Sequence, residues 1–233
     1  MYGWRCRIGL IIPSSNTTME HEFVCYAPEG VSVHTTRLPL ERVTEAELTK
    51  MAERVEEAAK LLADAQVDII AYGCTTGSLI KGKGYDEELE ERIRRVTGIP
   101  AVSTARAVLE ALKEKGLKRI AVATPYTEEI NEKEREFLND NGFEVCVIRG
   151  LGLVKNLEIG MQEPHVAYRL GRELMMKHPE ADGLFISCTN FRTFEIISPF
   201  SRDIGRPVIT SNQATLWRVL QEKGIAPAEG LLS

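Results

Sequence analysis

The chain has 233 residues, with 29 Lys and Arg against 34 Asp and Glu, a formal net charge of -5 and 43% hydrophobic residues. That supports one large α/β domain or two small ones, and no basic block of the kind that binds nucleic acid is present. The longest apolar stretch, residues 8–13, is too short to cross a bilayer, and Met1-Tyr2-Gly3-Trp4-Arg5 lacks the apolar core of a signal peptide. A cytoplasmic protein with no nucleic-acid and no membrane partner is expected.

Short apolar runs alternate with amphipathic segments, the signature of parallel sheets flanked by helices, so the predicted class is α/β. Strands are predicted at 7–13, 31–37, 67–73, 100–104, 119–124, 143–149, 183–187 and 207–210, enough for two four-stranded sheets. After the second strand, Thr44-Glu45-Ala46-Glu47 reads as a capping box, and Leu48, Met51, Val55, Ala59 and Leu62 form one apolar stripe of a single helix. In the second half a helix starts near Pro164 and runs through Val166, Leu170 and Leu174 to His178. Five cysteines without CxxC spacing suggest neither a disulfide framework nor a zinc site, and the four histidines are scattered, so neither metal nor cofactor is expected.

The two halves repeat. Arg7-Ile8-Gly9-Leu10-Ile11-Ile12-Pro13 parallels Arg119-Ile120-Ala121-Val122-Ala123-Thr124-Pro125. Asp68-Ile69-Ile70-Ala71-Tyr72-Gly73-Cys74-Thr75 parallels Asp182-Gly183-Leu184-Phe185-Ile186-Ser187-Cys188-Thr189. Gly98-Ile99-Pro100 parallels Gly205-Arg206-Pro207, and the helices after them, carrying Ala105, Val108, Leu109 and Leu112 or Ala214, Leu216, Val219 and Leu220, are alike. Four matches in one order at nearly constant spacing point to a duplicated unit.

In open parallel sheets reactive groups gather beyond the carboxyl ends of the strands. Three such ends carry unusual residues: Pro13-Ser14-Ser15-Asn16-Thr17-Thr18, Gly73-Cys74-Thr75-Thr76-Gly77-Ser78 and Ser187-Cys188-Thr189-Asn190. Backbone N–H groups in such turns can hold carboxylate oxygens without an arginine. A helix N-terminus after each turn would also lower the pKa of Cys74 and Cys188, making them candidates for nucleophile or base. The bland reading of a free cysteine is a small buried space-filler, and Cys6, Cys25 and Cys146 are read so, with Cys146 in the core. For Cys74 and Cys188 the matched repeat positions favour chemistry. Two similar halves put one thiol on each side of a flat substrate, so a planar intermediate is attacked on one face and protonated from the other. Tyr126, after the fifth strand, can bond a carboxylate or simply pack. Asn156 sits in a glycine-bearing loop where turn formation alone explains it. Gly150-Leu151-Gly152 lacks the third glycine of a dinucleotide fingerprint.

Over essentially the whole chain, the halves with Cys74-Thr75 and Cys188-Thr189 resemble the aspartate/glutamate racemase superfamily. Pro13-Ser14-Ser15-Asn16, Thr124-Pro125-Tyr126 and Asn156 look most like the branch of maleate cis-trans isomerases and arylmalonate decarboxylases. The resemblance implies two pseudo-symmetric flavodoxin-like domains, residues 1–103 plus 212–233 and residues 104–211, with the active site between them and the final helix packed on the first half. It implies Cys74 as nucleophile and Cys188 as acid/base partner. Asn16, Tyr126 and Asn156 would hold the carboxylates, helped by backbone N–H groups of Thr75, Thr76, Thr189 and Asn190. The implied reaction on a small dicarboxylate is thiolate addition, bond rotation and elimination, without cofactor. Decarboxylases of the branch keep one cysteine, where Cys188 stands, so Cys74 argues against that activity. Racemisation of an acidic amino acid and a carboxylate-binding module without turnover stay open, and nothing in the pattern opposes a homo-oligomer.

Overall fold

The computed structural model of the chain describes residues 2–227 and 231–232. The first half runs β1 (Cys6–Pro13), α1 (Met19–Tyr26), β2 (Val31–Leu38), α2 (Glu45–Glu53), α3 (Val55–Asp64), β3 (Ile69–Tyr72), α4 (Thr75–Leu79), α5 (Tyr85–Thr97), β4 (Ala101–Ser103) and α6 (Thr104–Glu114). The second runs β5 (Arg119–Thr124), α7 (Glu128–Asp140), β6 (Glu144–Gly150), α8 (Asn156–Gly160), α9 (Pro164–Lys177) and β7 (Gly183–Ile186). A 3₁₀ turn (Phe194–Ile196), α10 (Ile197–Ile204), β8 (Val208–Thr210) and α11 (Ser211–Glu222) complete it.

All pairings within the two sheets are parallel, in the orders β2-β1-β3-β4 and β6-β5-β7-β8. The duplication extends to single hydrogen bonds. Asp68 Oδ2 accepts from Arg7 N at 2.7 Å ahead of β3, and Asp182 Oδ2 accepts from Arg119 N at 2.8 Å ahead of β7. Each sheet order reverses direction beside its first strand, so the crevices at the carboxyl ends of β1 and β3, and of β5 and β7, are where the fold leaves room for a ligand.

Burial follows from the strand pleat. Ile8, Leu10 and Ile12 of β1 join one apolar cluster while Ile11 joins the other, as period-two alternation dictates. The first cluster is built around α6 and α11, whose Val108, Leu112, Leu216 and Leu220 pack with residues of both sheets. Helix α11 lies along α6 and also touches β3 and β4 of the first sheet, while α6 touches β8 of the second. The halves are thereby locked through a shared helical layer.

Three expectations need correction. The stripe from Leu48 to Leu62 is buried throughout, yet it belongs to two helices, because Arg54 leaves helical geometry at φ -93, ψ 7. Thr44 caps α2 by accepting from Glu47 N at 3.4 Å, but the Glu47 carboxylate accepts from Glu41 N and Arg42 N instead of closing the box. A complete capping box stands elsewhere, at Thr210 and Gln213 on α11. Cys146 is only half-buried, since the β5–β6 register skips it: Ile120 pairs with Val145 and Ala121 with Val147.

Because Leu220 is buried in the layer that both sheets share, Leu220→Ala is expected to cost about 2–5 kcal/mol. Urea unfolding should lose that amount in a single transition, with no half surviving to higher denaturant.

Candidate active site

Helix α4 starts where β3 ends, with Cys74 extended at φ -148, ψ 110 as its N-cap. The Cys74 sulfur accepts from Gly77 N at 3.3 Å and lies 3.9 Å from the Thr76 hydroxyl. Thr75 and Thr76 open the helix, where N–H groups have no intrahelical partner. Ser78 Oγ donates to Cys74 O at 2.7 Å, tightening the turn.

Cys188 occupies the matching place after β7 in a different conformation. Its φ is +108, a left-handed value that a side chain resists, and residues 189 and 190 form a turn with no helix start at this point. Its N–H donates to Ser211 Oγ at 3.0 Å, its sulfur accepts from Asn190 N at 3.3 Å, and the Tyr126 hydroxyl acts on the thiol in the direction that favours its anion. Tyr126 follows the end of β5 and is 2% exposed.

The remaining residues singled out in the sequence join these two loops. Asn16 Nδ2 donates to Thr189 Oγ1 at 3.1 Å, while its Oδ1 accepts from Thr18 N and Met19 N, both at 3.0 Å, starting α1. Thr189 Oγ1 donates to Gly73 O at 3.2 Å, and Thr75 Oγ1 donates to Ser211 Oγ at 2.9 Å. Asn190 Oδ1 accepts from Thr17 N at 2.8 Å, and its Nδ2 donates to Asn156 O at 2.7 Å. Asn156 Nδ2 donates to Ser15 Oγ at 2.8 Å, and its N–H donates to Glu41 O at 2.9 Å. Beside that contact Val43 N donates to Val154 O at 2.7 Å, so the segment after β2 is stitched to the segment before α8.

All nine residues therefore meet, contributed by β1, β3, β5, β6 and β7 at their carboxyl ends. None of them is cationic. Cys74 and Cys188 are 5% and 6% exposed, so an entering substrate must displace part of this network.

Burial dominates the electrostatics, and it overturns the expectation of lowered thiol pKa values. It pushes Cys74 up to about 11, against the opposing hydrogen bonds from Gly77 and Thr76. It pushes Cys188 up to about 12, against Tyr126 and Asn190, with the neighbouring charges of Cys74 and Glu134 raising it further. A short buried helix start does not repay the loss of water around a sulfur anion.

Several residues of the site gave no signal in the sequence. Ser211 bridges the cysteine loops. Glu22 on α1 accepts from Thr193 N at 3.1 Å, Phe194 N at 3.3 Å and Asn212 Nδ2 at 2.5 Å, fixing the chain that follows Asn190. Glu134 on α7 accepts from Ser187 Oγ at 2.6 Å, directly before Cys188, and burial raises both carboxyls to about 7. The starts of α11 and the acidic faces of α1 and α7 look ordinary in a linear reading. Among the described residues no group of three His, Cys, Asp or Glu is placed to hold a metal ion.

Residues 8–231 match the arylmalonate decarboxylase family. The chain belongs to this family. It is also 31% identical over 229 residues to the maleate isomerase of Geobacillus stearothermophilus, covering 92% of this chain and 90% of that protein. The crystal structure of a cysteine-to-alanine variant of the maleate isomerase Iso from Pseudomonas putida S16, with maleate, superposes at a TM-score of 0.92 and 28% identity, over 98% of this chain and 97% of that one. A cysteine-to-serine variant of Nocardia farcinica maleate cis-trans isomerase, with a covalently bound succinylcysteine intermediate, superposes at 0.89 with 25% identity, over 94% and 93% of the two chains. The superfamily anticipated from Cys74 and Cys188, and the branch anticipated from Asn16, Tyr126 and Asn156, are therefore the right ones, and the chain is an enzyme of that branch. Among the described residues no helix is long and apolar enough to cross a membrane.

Glu134 supplies a pH signature. Its folded carboxyl holds a proton up to about pH 7 against an ordinary value of 4.5, so the stability it contributes is full below 4.5 and lost as pH rises through 7. Glu134→Gln does not titrate. Its melting temperature relative to the parent enzyme should therefore move upward between pH 5 and pH 8, as read by circular dichroism melts.

Proposed function

We propose that this enzyme isomerises maleate to fumarate with Cys74 as nucleophile and Cys188 as proton donor. The observation that carries the reading is the pair of buried sulfurs in loops bonded to each other, each supplied with its own hydrogen-bond donors. Burial raises both thiols, and on this assignment the first proton lost by the coupled pair is that of Cys74. That leaves a thiolate on one wall and a thiol on the other, the ionisation state the reaction needs.

The step balances with the two sulfurs alone. The Cys74 thiolate forms a C–S bond to one alkene carbon, and the displaced π pair moves to the adjacent carbon and into its carboxylate. Cys188 gives its proton to that carbon and becomes the thiolate, stabilised by the Tyr126 hydroxyl and Asn190 N–H. Rotation about the new single bond brings the carboxylates trans. Cys188 then takes the proton back, the C–S bond breaks, and Cys74 leaves as thiolate. Asn16, Asn156, Tyr126 and the N–H groups of Thr75, Thr76, Thr189 and Asn190 are proposed to hold the two carboxylates, through donors released from the network as substrate enters. The chemistry calls for neither metal nor organic cofactor. Two reduced thiols in one site fit a reducing, cytoplasmic setting.

Proton NMR of the purified enzyme mixed with maleate should show fumarate accumulating; no conversion by the parent protein sinks the reading. Cys74→Ala and Cys188→Ala should each lower turnover by at least about 10³-fold. Cys188→Ser should leave a succinyl adduct on Cys74, visible by intact mass. Racemisation instead predicts exchange of an amino-acid α-proton in heavy water without fumarate, and decarboxylation predicts release of carbon dioxide from a phenylmalonate. Because Cys74 reacts as a thiolate, kcat/KM should climb with pH through the neutral range, as a stopped-time fumarate assay would record.

A further inference from the structure

Tyr72 stands in β3 two residues ahead of Cys74, 1% exposed, and its hydroxyl has no hydrogen-bond partner. A buried hydroxyl left unpaired is costly, and phenylalanine would fill the same space without that cost. A methyl group added at Gly77 would meet the Cys74 sulfur and the Tyr72 oxygen at the same distance, 2.9 Å, so both atoms border the narrow notch beside the Gly77 α-carbon and lie within twice that distance of each other. The second half offers the comparison: there the hydroxyl of a buried tyrosine, Tyr126, acts on the Cys188 thiol in the direction that favours its anion.

We propose that Tyr72 is a positioning residue for the attacking sulfur: its hydroxyl donates to the Cys74 thiolate across the Gly77 notch, completing with Gly77 N–H and the Thr76 hydroxyl a three-donor cradle. The proposal rests on the reading of Cys74 as nucleophile. A neutral thiol is a weak acceptor, which leaves the phenol unpaired in the resting enzyme; loss of the proton makes the sulfur a strong acceptor, and a rotation of the Cys74 side chain into the notch closes the bond. The unpaired hydroxyl therefore disfavours the resting thiol and is satisfied only in the reactive form, a difference that lowers the cost of making the nucleophile. The titratable and charged groups that act on the Tyr72 hydroxyl are Cys74, Tyr85 and Arg92. Those acting on the Cys74 sulfur directly are the donors Gly77 and Thr76, with Cys188 opposite.

The test uses the full-length enzyme and follows iodoacetamide labelling of the Cys74 peptide against pH by mass spectrometry. In Tyr72→Phe, which keeps the ring, the labelling midpoint should rise by about one pH unit, a tenfold loss of thiolate at any lower pH. Maleate kcat should fall by a similar factor of about ten with KM nearly unchanged, the split expected when an interaction is lost after substrate binds. Gly77→Ala fills the notch with Tyr72 intact and should reproduce the midpoint shift, and it carries the test alone if Tyr72→Phe does not fold. A midpoint equal to that of the parent enzyme in either folded variant overturns the proposal. If instead Cys74→Ala retains maleate turnover, the nucleophile reading fails, an outcome distinguishable because the midpoint is read on the sulfur itself.

Discussion

The hydroxyl of Ser211 accepts from Thr75 Oγ1 on one side and from the N–H of Cys188 on the other, and the rest of the site depends on this shared acceptor. One loop comes from the first sheet and the other from the second, and chemistry between two sulfurs demands that both be held to within fractions of an ångström. The requirement fits the contacts that join the cysteine loops, which are neutral hydrogen bonds made by short side chains: Thr189 to Gly73, Asn16 to Thr189, Thr17 to Asn190. Short side chains lose little entropy on ordering, and in a dry interior each bond reinforces its neighbours. An ion pair in the same place would put a charge beside a sulfur whose ionisation the reaction needs to control; the ion pair Lys133–Glu45 joins the halves on the outer helices α7 and α2 instead.

The same dryness sets the energetics of the sulfurs. Water excluded from Cys74 and Cys188 makes their anions costly, and the protein answers with individual donors: a backbone N–H on each, a threonine for one, a tyrosine for the other. These offset the penalty in part, leaving both groups protonated at rest and the thiolate a minority species close to where it reacts. Glu134 behind Cys188 works in the opposite direction once it ionises above about pH 7, raising the Cys188 thiol pKa further. Nucleophile and acid are thus made different by surroundings, though the fold unit that carries them is the same.

How much of this is legible in the sequence depends on how local the cause is. The strands are, because the central ones are apolar runs and the edge strands β2 and β6 are β-branched segments bounded by proline, glycine or a polar cluster, and the duplication is, because Asp-strand-Cys-Thr recurs in order. The break at Arg54 is not, since the apolar stripe continues across it. The direction of the thiol pKa shifts is misread, because a helix start is written in the residues beside Cys74 whereas its burial is imposed by elements elsewhere in the chain. Ser211 acts on a threonine 136 positions away, and Glu134 on a serine 53 positions away, so neither announces itself without the fold. Tyr72 was in plain view in the matched strand, but only its missing partner marks it.

The left-handed backbone at Cys188 has an evolutionary consequence. Glycine is the residue that adopts φ +108 without strain, so the local conformational energy there pulls toward losing the side chain altogether. A sulfur kept at such a position is kept against the preference of its own backbone. Drift under selection for foldedness alone would erase it, and a descendant with glycine there would retain the architecture while its site had become a receptacle without a proton to give.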